Sequence, residues 1–168
     1  MSCLHTFVTD VYYEKMFDHL SESIFESYKS DVDNLIYKDC SHLLKQIPSV
    51  VDRLASGDSE SFNQALGTCR RIIESFADSI FPASEKTIKI EGNELKLDAS
   101  KHQNRINAYI HEFCKSKSRC KRFRQNLANL FDRVSNAVHN DVSAEEAKAL
   151  FLNTYLFVGE VLHLKKDV

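Results

Sequence analysis

From Tyr13 onward, apolar side chains return every three or four positions, at Met16, Phe17, Leu20, Ile24 and Tyr28, and again at Leu35, Ile36, Cys40, Leu43, Leu44 and Ile47. That spacing follows the turn of an α-helix and predicts two amphipathic helices. Pro48 lacks the N–H that a helix interior needs, so it predicts a kink or a restart. Gly57 predicts a stop, with Asp58 and Ser59 capping the next helix. This third helix is predicted over 61–81, with Phe62, Ala65, Leu66, Cys69, Ile73, Phe76 and Ile80 inward and Pro82 as its terminator.

Between Lys86 and Leu97 the period falls to two. Ile88, Ile90, Leu95 and Leu97 alternate with polar residues about Gly92-Asn93, the pattern of a small β-hairpin near 86–97. Helical periodicity then resumes over 100–114, 118–139 and 143–164, where Ser143 and Glu146 have the spacing of a capping box. The expected architecture is all-α, a helical bundle of about six helices carrying one hairpin. Residues 1–60 are expected to form an N-terminal helical extension packed on the bundle, and 61–168 the main helical domain.

Composition sharpens this picture. The chain of 168 residues is 43% apolar and holds only four glycines and two prolines, which favours long helices over linkers. It has no run of about 20 apolar residues and no basic-then-apolar leader, so a cytoplasmic protein that does not enter a membrane is expected. Among its five cysteines there is no CxxC, and Cys40, Cys69 and Cys114 fall in phase with apolar stripes. Reduced core thiols are the expectation. A metal site drawn from His111, Cys114 and Cys120 lacks a second close Cys/His pair, and no phosphate loop or nucleophile turn is present. No metal or cofactor is therefore expected.

The net charge of −2 conceals an asymmetry: residues 1–99 carry 10 Lys/Arg against 17 Asp/Glu, and residues 100–168 carry 12 against 7. Six of the C-terminal cations, Lys115, Lys117, Arg119, Lys121, Arg122 and Arg124, fall within ten residues at the start of the fifth helix. They suit a phosphate backbone such as RNA, although such clusters are often only solvated helix starts. Further along, Leu127, Leu130, Phe131, Val134 and Val138 share the inward face, while Arg133, Asn136, His139 and Asn140 lie on the other side. Histidine moves protons near neutral pH and arginine clamps phosphoryl oxygens, so this polar stripe is the candidate site. Arg105 and His111 repeat the same spacing one helix earlier. Arg70 and Glu74, four apart on the third helix, form an expected surface ion pair or a support for the site.

From the third helix onward the chain resembles the HEPN domains of prokaryotic defence and toxin systems. The resemblance, over about 61–164, is carried by Cys69-Arg-Arg-Ile-Ile-Glu74, by the element from Arg133 to His139, and by the turn into Ser143-Ala-Glu-Glu-Ala147 and the terminal helix. It implies a bundle that forms a homodimer with the Arg and His motifs of two chains in one cleft. The active members are metal-independent endoribonucleases, and the resemblance implies a 2′,3′-cyclic phosphate and a 5′-hydroxyl as products. Arg133 and His139 would be catalytic, with Asn136, Asn140, Arg70 and Glu74 in support. The alternative is a non-catalytic module of the same fold that binds nucleic acid, a nucleotide or a protein partner. In that reading the acidic, amphipathic N-terminal helices offer the docking surface.

Overall fold

The computed structural model describes residues 2–137 and 141–165, and their side chains except at 2–6, 10, 14, 18, 19 and 21. Its helices are α1 (Ser2–Cys40), α2 (Ile47–Ser56), α3 (Ser59–Ile80), α4 (His102–Phe113), α5 (Lys117–Asn136) and α6 (Ala144–His163). Strands β1 (Thr87–Ile90) and β2 (Asn93–Lys96) make one antiparallel hairpin between α3 and α4. The protein is thus an all-α bundle with a small hairpin. Among the described residues, no helix is long and apolar enough to cross a membrane.

Two expected helices at the N-terminus are instead one. The stretch from Lys29 to Asn34, polar but for the buried Val32, separates the two apolar rows but contains neither Gly nor Pro, so nothing in it breaks the helical backbone. Lys29 donates to Asp33 one turn on at 2.7 Å, which supports the helix through that stretch. Helix α1 then tightens into a 3-10 turn over Ser41–Lys45, and Pro48 sits in the first turn of α2, where its missing N–H costs nothing. Gly57, at φ +82°, ends α2 in the left-handed conformation that glycine adopts without strain. The Asp58 carboxylate accepts from the Ser61 N–H at 2.8 Å and starts α3.

The chain divides into two compact units, residues 1–34 and 35–168. In the first, Tyr13, Phe17, Leu20 and Ile24 are between 56% and 72% exposed, so the apolar row legible in the sequence lies open along α1. In the second, α3 is the central element and packs against α2, α4, α5 and α6. Phe62, Ala65, Leu66, Cys69, Ile72, Ile73, Phe76 and Ala77 are all buried, an apolar stripe about 140° wide against the roughly 100° that a surface helix needs. Burying a large apolar side chain contributes roughly 1.5–3 kcal/mol, which makes this face the main source of cohesion.

The hairpin turn is Glu91-Gly92 rather than Gly92-Asn93. Ile90 pairs with Asn93, and both turn residues have positive φ, +49° and +86°. A two-residue turn of this kind needs that backbone at both positions, and glycine in the second relieves one of them. Ile90 and Leu97 are buried, and Arg124 of α5 donates to Glu91 at 2.6 Å, holding the turn.

The loop between hairpin and α4 is organised by Arg105, whose side chain is 0% exposed. Its guanidinium donates to the Phe81 carbonyl (3.2 Å), the Ala99 carbonyl (3.1 Å) and the Asp78 carboxylate (2.7 Å). One side chain therefore ties the end of α3, the strand exit and α4 together. Its spacing to His111 mimics that of the candidate motif, but Arg105 is buried and His111 exposed. Truncation to Arg105→Ala would leave a cavity and would remove the donor from the Phe81 and Ala99 carbonyls and from the Asp78 carboxylate. We expect a loss of about 3 kcal/mol or more in equilibrium urea unfolding. A loss under about 1 kcal/mol would show that the guanidinium does not hold these segments.

Cys40, Cys69, Cys114 and Cys120 are free and buried. Burial of Cys69 pushes its thiol from 9.0 up to about 12, because the thiolate would lose its hydration. Well below pH 9 the thiol is protonated whether the chain is folded or not, so there it has no effect on stability. Above that, the unfolded chain ionises first, and stability falls as pH rises. Going from pH 7 to 10 should cost on the order of 1 kcal/mol through this residue. The slope of stability against pH in that window should flatten in Cys69→Ala. Equal slopes in the two proteins would refute this.

Candidate functional site

Helix α5 presents two faces with different chemistry. Leu127, Leu130 and Val134 are buried, while Asn126, Asn129, Arg133 and Asn136 are exposed. The exposed four are spaced three, four and three residues apart, which stacks them in one ridge along the helix. Opposite them, α6 carries Asn153, Leu156 and Glu160, again one turn apart. Between the ridges runs a groove of about 370 Å³, lined by Asn126, Asn129, Leu130, Arg133, Asn153, Leu156, Phe157 and Glu160. Three amides, one guanidinium and one carboxylate over an apolar floor make it a place for a polar, flat or partly anionic ligand.

Arg133 stands at the side of this groove and donates to Glu146 of α6 at 3.2 Å. Both side chains are about half exposed, at 49% and 48%, so the pair is worth at most about 1 kcal/mol and gives way to a stronger anion. Ser143 accepts from the Glu146 N–H at 3.2 Å, which forms the capping bond anticipated from the sequence. The Glu146 carboxylate turns to Arg133. His139, Asn140 and Val138 lie outside the described residues. Asn136 is described, exposed, and shares the ridge with Arg133.

Arg70 and Glu74 form their expected ion pair at 3.0 Å, and the Arg70 guanidinium lies 5.5 Å from the centre of the Phe131 ring on α5. They line a different groove, with Ser100, Lys101, His102, Gln103, Asn104 and Asn107. The structure therefore brings these two residues to α5 but not to Arg133. Phe131 and Arg133 are two residues apart, and two residues turn a helix through about 200°.

The basic start of α5 is capped by Ser116, which accepts from the Arg119 N–H. Lys115, Lys117, Arg119, Lys121 and Arg122 are exposed, whereas Arg124 is engaged by Glu91. The Arg119 guanidinium sits 5.5 Å from the centre of the Phe123 ring. The cations thus occupy the first turns of the helix whose second half carries Arg133. Among the described residues, no three His, Cys, Asp or Glu side chains gather as a metal would require.

Sequence reasoning missed Asn126 and Asn129, although their helical spacing to Arg133 was a sufficient signal. Asn153 and Glu160 had no such signal, since only the packing of α6 on α5 brings them to the groove. No family model, no curated protein and no solved structure matches the chain.

Proposed function

We propose that the protein is a metal-independent endoribonuclease of the HEPN kind, a cytoplasmic toxin or antiviral effector, working at the α5–α6 groove. The supporting observation is Arg133, presented beside three amides on the helix whose start is basic. Amide side chains meet the donor and acceptor edges of unpaired bases, and the cations meet the neighbouring phosphates. His139 lies six positions beyond Arg133 in the chain. In this reading it takes the proton from the substrate's 2′-hydroxyl, whose oxygen attacks the adjacent phosphorus. Arg133 stabilises the charge on the pentacoordinate phosphorus, the 5′-oxygen leaves and takes up a proton, and a 2′,3′-cyclic phosphate remains. A homodimer related by a two-fold axis sets Arg133 of one protomer near the partner's His139.

Two observations favour the second reading, a non-catalytic module that binds nucleic acid or protein. Glu146 already occupies Arg133, and α1 bears an open apolar row that suits a protein partner.

Cleavage of one labelled RNA with excess EDTA separates the readings. His139→Ala and Arg133→Ala should each lower the cleavage rate on the order of 10² or more while RNA binding survives. Removing charge at Arg119, Arg122 and Arg124 should instead weaken binding and flatten its salt dependence. His111→Ala is the silent control. Intact but shifted RNA with the natural protein identifies a binder, and a monomer by light scattering at micromolar concentration rejects the shared site.

Releasing Arg133 gives a second check. Because the pair with Glu146 is half exposed, Glu146→Gln should leave stability within about 1 kcal/mol of the parent and strengthen RNA binding several-fold. Unchanged affinity would mean that Arg133 does not meet the RNA.

A further inference from the structure

A second polar groove lies between α2, α3 and the start of α4, in the same compact unit but built from different helices than the Arg133 groove. It encloses about 620 Å³ and is lined by Lys45, Gln46, Ser49, Arg53, Thr68, Arg71, Glu74, Ser75, Asp78 and His102. Its floor holds an unusual convergence. Arg53 Nη1 of α2 and Arg71 Nη2 of α3 both donate to the single hydroxyl of Thr68, at 2.6 and 2.8 Å. Thr68, 4% exposed, spends its own proton on the Gln64 carbonyl at 3.0 Å. Arg53 also reaches that carbonyl at 3.4 Å. The hydroxyl is then saturated, yet most of the five N–H donors that each guanidinium carries remain unused.

Two guanidiniums sharing one neutral oxygen repel each other, and no carboxylate among the described residues pairs with either. The two acids in the lining are committed elsewhere: Glu74 accepts from Arg70, and Asp78 from the buried Arg105. Neither Arg70 nor Arg105 lines this groove. Lys45 adds a third cation at the rim. An anion between Arg53 and Arg71 would relieve the repulsion and use the spare donors. A carboxylate carries one charge and suits one guanidinium fork. A phosphomonoester carries about −1.5 to −2 at neutral pH and three strong acceptor oxygens, enough for two forks and an ammonium. The volume lies within the range of small-molecule sites, with Ser49, Ser75 and His102 left to meet whatever the phosphoryl group is attached to.

We infer that Arg53, Arg71 and Lys45 form a binding site for a phosphoryl group, supplied as free phosphate or as a nucleotide. This site does not depend on the ribonuclease reading, since it shares no residue with the Arg133 groove.

The test titrates the full chain with inorganic phosphate, adenosine 5′-monophosphate and adenosine at constant ionic strength set by chloride, followed by calorimetry and thermal unfolding. Saturable binding with a Kd of about 1 mM or tighter is expected for a phosphorylated ligand and not for adenosine. Adenosine monophosphate binding at least tenfold tighter than phosphate assigns the nucleotide, and equal affinities assign free phosphate. Arg71→Gln should weaken binding tenfold or more, Arg71→Lys less, and Lys45→Gln a few-fold. Arg53→Gln should act like Arg71→Gln, but it removes a link between α2 and α3, so the exposed Arg71 carries the decision. No saturable binding of either phosphorylated ligand, or binding unchanged in folded Arg71→Gln, overturns the site.

Discussion

A guanidinium with no access to water sits where the bundle changes direction. The chain leaves α3 at Phe81, makes the hairpin, and returns into α4 past the backbone carbonyls of Phe81 and Ala99. Arg105 supplies the donors for those two carbonyls and takes Asp78 as its counter-ion. Burying a charge is costly unless it is paired and hydrogen-bonded. The bonds from the two terminal nitrogens offset that cost while Nε has no partner among the described residues, so the loop geometry and the position of Asp78 follow from this one side chain. The consequence reaches beyond the loop. Asp78 held by Arg105 is one of the two acids taken out of play in the Arg53–Arg71 groove, which keeps that groove cationic.

The centrality of α3 explains where sites can exist at all. Its apolar residues are spent on four neighbouring helices, and the polar remainder is confined to narrow strips at the junctions. Thr68, Arg71, Glu74 and Asp78 lie on the strip that meets α2 and α4, and Arg70 lies where α3 meets α5. The α5–α6 junction is built differently. There each helix offers a polar ridge beside its apolar face, and the ridges run together into a groove whose lining holds one cation, Arg133, and one carboxylate, Glu160, with Glu146 paired to Arg133 at its side. One groove is therefore suited to bases and amides and the other to a compact anion.

Much of this was readable in the residues because it depends on local rules. Helix spacing, the stop at Gly57, the cap at Ser143, the restart at Pro48 and the change of period at Lys86 each arise from backbone chemistry within a few residues. The ridge containing Arg133 and Asn136 is of the same kind, since a helix determines by itself which of its side chains share a face. The local rules misled where two signals competed. The two apolar rows on either side of 29–34 read as two helices, although charged residues at helical spacing continue a helix and Val32 between them is buried, and Gly92-Asn93 looked like a turn that the strand pairing shifts by one residue.

What tertiary structure alone decided is which polar groups meet. Arg105 and Arg133 stand in sequence contexts with the same spacing to a histidine, yet one is sealed beneath a loop and the other lies along a groove. Arg70 and Arg71 are neighbours in the chain, but the helical turn sends one to the Phe131 ring and the other to Thr68 and Arg53. The amino-acid order sets the face on which each side chain lies. Only the packing of α2, α5 and α6 around α3 determines what that face meets, because contacts between distant segments depend on distances that no local spacing encodes.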